Sequence, residues 1–302
     1  METPYNQSGA GSVKEQQCLY GKTTEIAIVN VASVPMRSPF RYPGGKTWLV
    51  PRVRQWLRSQ PEHPCELIEP FAGGGIVSLT AVFEKLVDRA TMVELDFDVA
   101  SVWHTILNGR AQWLAQQMVN FKLSHEAVTA VLSGTPRALH ERAFATMLRN
   151  RISRGGIMAP GAGVVKKGEN GRGLASRWYP KTLRRRILDI VALKERIRFI
   201  QGDGIGFMKA NADRRDAVFF IDPPYVVAGR RLYTHSEIDH AELFRTAEAL
   251  AGDFLITYDN APEIRQLAER HGFAIREVPM KSTHHERKTE LLISRNLDWP
   301  RG

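Results

Sequence analysis

The stretch Cys65–Asp96, CELIEPFAGGGIVSLTAVFEKLVDRATMVELD, decides how this chain folds. Its first seven residues, Cys65 to Phe71, form a short apolar run that closes in three glycines, as a buried strand does before a tight turn. Ile76 to Leu86 reads as a helix, and Ala90 to Asp96 as a second strand. Strand, glycine turn, helix, strand is a βαβ unit, which implies a parallel sheet with both faces covered.

On the N-terminal side, Thr47 to Leu57 carries apolar residues at helical spacing, with Pro51 confined to the first turn or kinking it. Before that, residues 1–35 are poor in apolar pattern and are expected to form a mobile tail, apart from the β-leaning EIAIVNV at Glu25 to Val31. On the C-terminal side the pattern becomes helical from about residue 100 to 150. The segment Arg154–Arg177 follows, with seven glycines, five basic residues and one acid, too long and glycine-rich for an ordinary connection. A helix resumes at Lys181 to Ile197. Alternation then returns, with strands expected at Arg198–Gly204, Ala217–Tyr225, Asp253–Asp259, Phe273–Pro279 and Thr289–Asn296. Helices are expected at Asp239–Ala251 and Ala261–His271. The expected architecture is α/β, a mostly parallel Rossmann-like sheet domain of residues 36–104 and 196–298. A mostly helical basic insert, residues 105–195, divides it.

The 302 residues carry 42 Lys and Arg against 32 Asp and Glu, a formal charge of +10, which favours a polyanionic partner. The composition, 43% hydrophobic and 25% charged, excludes a disordered chain or a disulfide-stapled mini-protein. Cys18 and Cys65 form no CxxC pair, so a reduced, cytoplasmic setting is expected and structural zinc is not. No run approaches the ~18 apolar residues of a membrane helix, and the N-terminus has no signal-like apolar region. His284 and His285 diverge as neighbours and lack a third ligand at helical spacing, so no metal is expected.

Three segments carry chemistry. In Ile68 to Ser78 the glycines let a ligand approach the backbone at a helix start, and Glu94 ends the next strand where a dinucleotide fold sets an acid against ribose. In Val218 to Tyr225, a strand runs into Asp222-Pro223-Pro224-Tyr225, which places the acid at the carboxyl edge of the sheet. The prolines hold the backbone extended and leave carbonyls as acceptors, so acid, carbonyl and aromatic together suit a planar heterocycle with an amino group. In Phe40 to Val50, GGKT matches part of a phosphate loop, but Phe40 stands where GxxxxGK[ST] needs glycine, and the segment precedes the first core strand. Lys46 remains a good partner for a carboxylate.

RYPGGK, EPFAGGG, GDG at Asp203 and DPPY, in this order, resemble the adenine-specific DNA methyltransferases of the Dam type, over about Pro39 to Asn296. ITYDN (Ile256 to Asn260) and ERKTELLISRN (Glu286 to Asn296) resemble that family's end. Tyr42-Pro43 departs from the Trp-Ala pair the family often has, and AGGG is a variant of GxG. The resemblance implies a class I methyltransferase fold with S-adenosylmethionine as cofactor and double-stranded DNA as partner, acting in site-specific modification. It puts Tyr42, Gly45 and Lys46 at the cofactor's methionine end, Phe71, Ala72, Gly73 and Gly75 along it, and Asp203 at its adenine. Glu94, with Asp96 as the alternative, takes the ribose, Asp222 also borders the cofactor, and Asp222, Pro223, Pro224 and Tyr225 hold a flipped target base. Arg149, Arg151, Arg154, Lys166, Lys167 and Arg172 of the insert are the expected DNA contacts. Methylation of a cytosine exocyclic amine, an RNA substrate, or a silent DNA-binding relative are the alternatives. The Pro64-Cys65 pair lies at the wrong edge of the sheet for a cytosine-C5 nucleophile.

Overall fold

The structure, a computed structural model, describes residues 33–158, 162–168, 171–225, 238–281 and 287–299. EIAIVNV, Cys18 and the His284–His285 pair lie outside them. A 3-10 turn, Lys46–Leu49, leads into α1 (Val50–Arg58), and Pro51 occupies its first turn, where the missing N–H costs no hydrogen bond.

The βαβ unit forms as read: β1 (Glu66–Glu69), α2 (Ile76–Phe83) and β2 (Arg89–Glu94). Strand β1 is shorter than the apolar run, because Pro70 has no N–H to donate to a ladder. Gly75 caps α2 at φ +61°, and a Cβ there would meet Met92 Sδ at 2.7 Å and the Trp103 ring at 3.0 Å, so only glycine fits this turn.

Helix α3 (Phe97–Leu107) crosses residue 105 and belongs to both parts of the chain. The insert supplies α4 (Ala111–Asn120), α5 (His125–Ser133), α6 (Leu139–Ile152) and α7 (Pro180–Val191). The sheet resumes with β3 (Ile197–Gln201), α8 (Gly204–Ala210), β4 (Ala217–Ile221), α9 (His240–Glu248), β5 (Phe254–Asp259), α10 (Pro262–Arg270), β6 (Ala274–Lys281) and β7 (Arg287–Ser294).

The strand order is β3-β2-β1-β4-β5-β7-β6. The first five strands are parallel, and β7 enters antiparallel between β5 and β6. The mostly parallel, Rossmann-like α/β sheet expected from the sequence is thus present, with one antiparallel strand set next to its edge. Side chains alternate across the sheet with the period of two that strands impose. Leu67, Met92, Phe220 and Leu255 bury on one face, and Ile68, Phe219, Ile221 and Ile256 on the other. The carboxyl ends of β1, β2, β3 and β4 therefore open on one edge, where Pro70, Glu94, Asp203 and Asp222 follow.

The glycine-rich segment Arg154–Arg177 makes backbone contacts where it is described. Ser153 bridges Val164, Val165 N–H donates to the Ile152 carbonyl at 2.8 Å, and Gly173–Arg177 is a 3-10 turn.

Candidate active site

One cavity of about 370 Å³ runs along the carboxyl edge of the sheet. Its wall is built from Tyr42, Gly45, Lys46, Phe71, Ala72, Gly75, Glu94, Asp203, Asp222 and Pro224, so most of the residues expected at the site come together there. Gly73 stands behind it, and a Cβ on Gly73, at φ +46°, would meet the Tyr42 ring at 2.5 Å. The Tyr42 ring thus lies directly on the glycine turn.

The turn is fixed by side chains from three elements. Trp103 Nε1 of α3 donates to the Gly73 carbonyl at 2.9 Å, and Ser38 Oγ donates to that of Gly74 at 2.5 Å. Glu94 accepts from Gly73 N–H at 2.8 Å and from Asp96 N–H at 2.9 Å. Withdrawal from water, with the Asp96 charge beside it, pushes the Glu94 carboxyl up to about 7.

Asp96 lines the same cavity, but its Oδ1 caps α3, accepting from Asp98 N–H at 2.8 Å and Val99 N–H at 3.1 Å. Asp203 caps α8 in the same way, from Ile205 and Gly206. The strand expected to reach Gly204 ends at Gln201, because Asp203 starts that helix.

Asp222 follows β4, and Lys46 is its partner. Lys46 Nζ is 2.9 Å from Asp222 Oδ1, 3.6 Å from Glu290 Oε2 of β7, and donates to the Gly44 carbonyl at 2.8 Å. Burial acts to lower the Lys46 pKa, yet Asp222 and Glu290 outweigh it and leave it raised. Thr257 Oγ1 of β5 donates to the same Asp222 oxygen at 2.7 Å. Both contacts fall on Oδ1, which leaves Oδ2 to accept from a ligand.

Tyr225 is held from the far side. Its hydroxyl donates to Glu290 Oε2 at 2.9 Å, its ring lies 4.9 Å from Lys46 Nζ, and Tyr258 packs 6.0 Å away, centroid to centroid. Burial raises the Glu290 pKa and the Asp222 charge adds to it, against the pull of Lys46.

Glu69, Glu290, Thr257, Trp103 and Ser38 were not anticipated. Glu69 is 3% exposed and lines the cavity, accepting from Ser78 N–H at 3.0 Å. Burial above all, with Asp222 and Glu94 nearby, pushes its carboxyl up to about 8. A charged residue inside the apolar run of β1 was the available signal. Five carboxyl residues, Glu69, Glu94, Asp96, Asp203 and Asp222, line this one cavity.

The expected nucleic-acid contacts divide. Arg154, Lys166, Lys167 and Arg172 are exposed. Arg149 is engaged by Asp98 of α3 at 3.3 Å. Arg151 is a correction: it is 4% exposed, donates from Nη2 to the Pro39 carbonyl, and has its pKa lowered to about 9 by burial and by Arg186, Arg41 and Arg177. It ties α6 to the segment before the glycine turn and is not a surface contact. Cys65 precedes β1, at the opposite end of that strand from the cavity. Among the described residues no group of acids, histidines and cysteines forms a metal site, and no helix is long and apolar enough to cross a membrane.

No family model matches this chain, and no curated protein matches it. Among solved structures, PH1948 from Pyrococcus horikoshii, provisionally assigned as an RNA methyltransferase, is similar at 13% identity and TM-score 0.39, over 84% of each chain. The rRNA methyltransferase aviRa from Streptomyces viridochromogenes matches at 14% identity and TM-score 0.36, over 82% of this chain and 84% of that one. TrmK of M. capricolum, solved with S-adenosylhomocysteine, matches at 9% identity and TM-score 0.38, over 81% and 68%. The α/β fold stands on the strand order and the antiparallel β7 of this chain itself.

Proposed function

We propose that this protein uses S-adenosylmethionine to methylate the exocyclic amine of a nucleic-acid base, with N6 of adenine in DNA as the first reading. The observation that carries it is the pinning of Asp222 by Lys46 and Thr257, in the cavity that also holds the glycine turn and Glu94. The donor fits on the chain's own features. Glu94 sits at the strand end where ribose hydroxyls are bound in such folds, and Glu69, its carboxyl raised to about 8 by burial, adds a hydrogen-bonding group to the same cavity. S-adenosylmethionine, when bound, supplies a methyl group on a positively charged sulfur.

An aromatic amine is a poor nucleophile because its lone pair is delocalised into the ring. Asp222 Oδ2 and the Pro223 carbonyl, accepting its two hydrogens, would draw the nitrogen toward tetrahedral geometry and localise that pair. With the donor bound, its methyl group would pass to that nitrogen, the C–S bonding pair staying on sulfur, and the amine proton lost would go to Asp222 Oδ2, the carboxylate oxygen that Lys46 and Thr257 leave open. Lys46 and Thr257 hold Oδ1, so Asp222 cannot swing away, and positioning of this kind supplies much of the rate. Tyr225, fixed by Glu290, would stack on the base, which must leave the duplex to enter.

RNA is the second reading, because an unpaired base in RNA presents the same exocyclic amine to Asp222 and Pro223. The test is transfer of a labelled methyl group to DNA and to RNA, each digested to nucleosides. N6-methyladenosine from RNA with unmodified DNA would replace the first reading by the second. Methylated cytosine would reject adenine, and no transfer to either polymer would reject the function.

A further inference from the structure

The cavity lining holds one arginine that the methyl-transfer chemistry does not use. That residue is Arg41, and Arg41 Nη1 is buried with no hydrogen-bond partner. Two more arginines stand behind: Arg151 donates from Nη2 to the Pro39 carbonyl, and Arg186 Nη1 donates to that of Ser38 at 3.1 Å. The Nε of each is also buried without a partner. Among the described residues no carboxylate pairs with any of the three. Burial and neighbouring arginines lower all three pKa values, with Arg177 acting on Arg41 and Arg151.

Buried like charges without a counter-ion are costly, and an arriving anion relieves that cost. The guanidinium fork matches phosphate oxygens, and a phosphate contact orients a strand without reading its sequence. Asp222 and Pro224 line the same cavity. A nucleotide swung out of a helix to present its base there carries its own phosphodiester to the rim. We infer that Arg41, backed by Arg151 and Arg186, seats the phosphodiester next to the extruded base. The inference rests on the nucleic-acid reading above and adds a site to it.

The experiment measures binding of wild type and Arg41→Ala to a duplex with one mismatched adenine, which leaves the stack at low cost. A second duplex carries uncharged methylphosphonates on either side of that adenine. With the native duplex, Arg41→Ala should lose affinity about 10- to 100-fold, as expected for a charge-assisted bond. Its log-affinity against log-salt slope should flatten by ~0.9. The methylphosphonates should reproduce the loss in wild type and add nothing to Arg41→Ala, while S-adenosylmethionine affinity stays unchanged and reports an intact fold. Arg41→Lys should recover the slope but only part of the affinity. An unchanged slope, or methylphosphonate losses equal in both proteins, would overturn the phosphate seat. So would a fall in cofactor affinity alone, which would assign Arg41 to the cofactor's carboxylate. Wild type binding no nucleic acid would overturn the functional reading and this inference together.

Discussion

Lys46 shows how much of this site rests on single residues. It is 2% exposed, and its charge is matched by Asp222 and Glu290, which arrive from β4 and β7. We predict that Asp222→Ala lowers single-turnover methyl transfer about 100- to 1000-fold, the typical cost of one well-placed polar stabiliser, with cofactor affinity nearly kept. Rapid-quench transfer with calorimetric cofactor titration checks this, and wild-type turnover would sink the role. Glu69 gives a pH prediction. Its folded pKa, about 8, is raised above the ordinary carboxyl value of 4.5, so stability is fully present below that value and falls as pH rises through 8. The thermal midpoint should decline from about pH 5 to 8, and Glu69→Gln should flatten the decline; an unchanged profile in the variant would refute it. Asp222, Glu94 and Lys46 were legible because strand ends and a glycine turn announce them. Glu69 and Glu290 were not, because their weight comes from burial against residues far away in the chain. Arg151 was misread although α6 held the clue: it lies three and four residues after Leu148 and Met147, on the buried stripe.

Elements obeyed local rules more closely than side chains did. Each strand and helix expected in the sheet domain forms, with ends moved by caps and prolines, as at Asp203 and Pro70. The antiparallel placement of β7 could not be read, since pairing partners distant in sequence leave no local pattern. In the glycine-rich segment the basic residues are the informative part. Lys166, Lys167 and Arg172 are exposed on a path anchored at Val165 and Gly173. Neutralising all three should weaken binding to every nucleic-acid sequence alike, and the salt slope should flatten by ~0.9 for each phosphate that is no longer neutralised. A salt series on specific and random duplexes checks this. Weakening confined to one sequence would make the segment a base reader instead.

At the scale of the whole molecule, sheet domain and insert are joined at Asn150. It is fully buried in α6, accepts from Arg41 N–H at 2.9 Å, and donates to the carbonyls of Arg41 at 3.0 Å and Gly156 at 2.9 Å. Asn150→Ala would leave these backbone groups unpaired, at ~1–3 kcal/mol for each group left buried and unsatisfied. For the three groups together we expect a loss of at least about 3 kcal/mol in chemical denaturation, with weaker cofactor binding because the Arg41–Lys46 segment covers the glycine turn. Wild-type stability would show that the two parts are joined elsewhere.

The strand order also sets a timetable for synthesis. Strand β1 is flanked by β2, made soon after it, and by β4, and about 150 residues separate Glu69 from Ala217. At ~5–20 residues per second, roughly 7–30 s pass before β4 leaves the ribosome. Throughout that interval the nascent half-sheet presents an unpaired edge of β1, an invitation to pair with another chain. Early folding of the insert cannot close it, because only β4 fits there. The emerging chain is therefore most exposed to aggregation while its helical insert is being made.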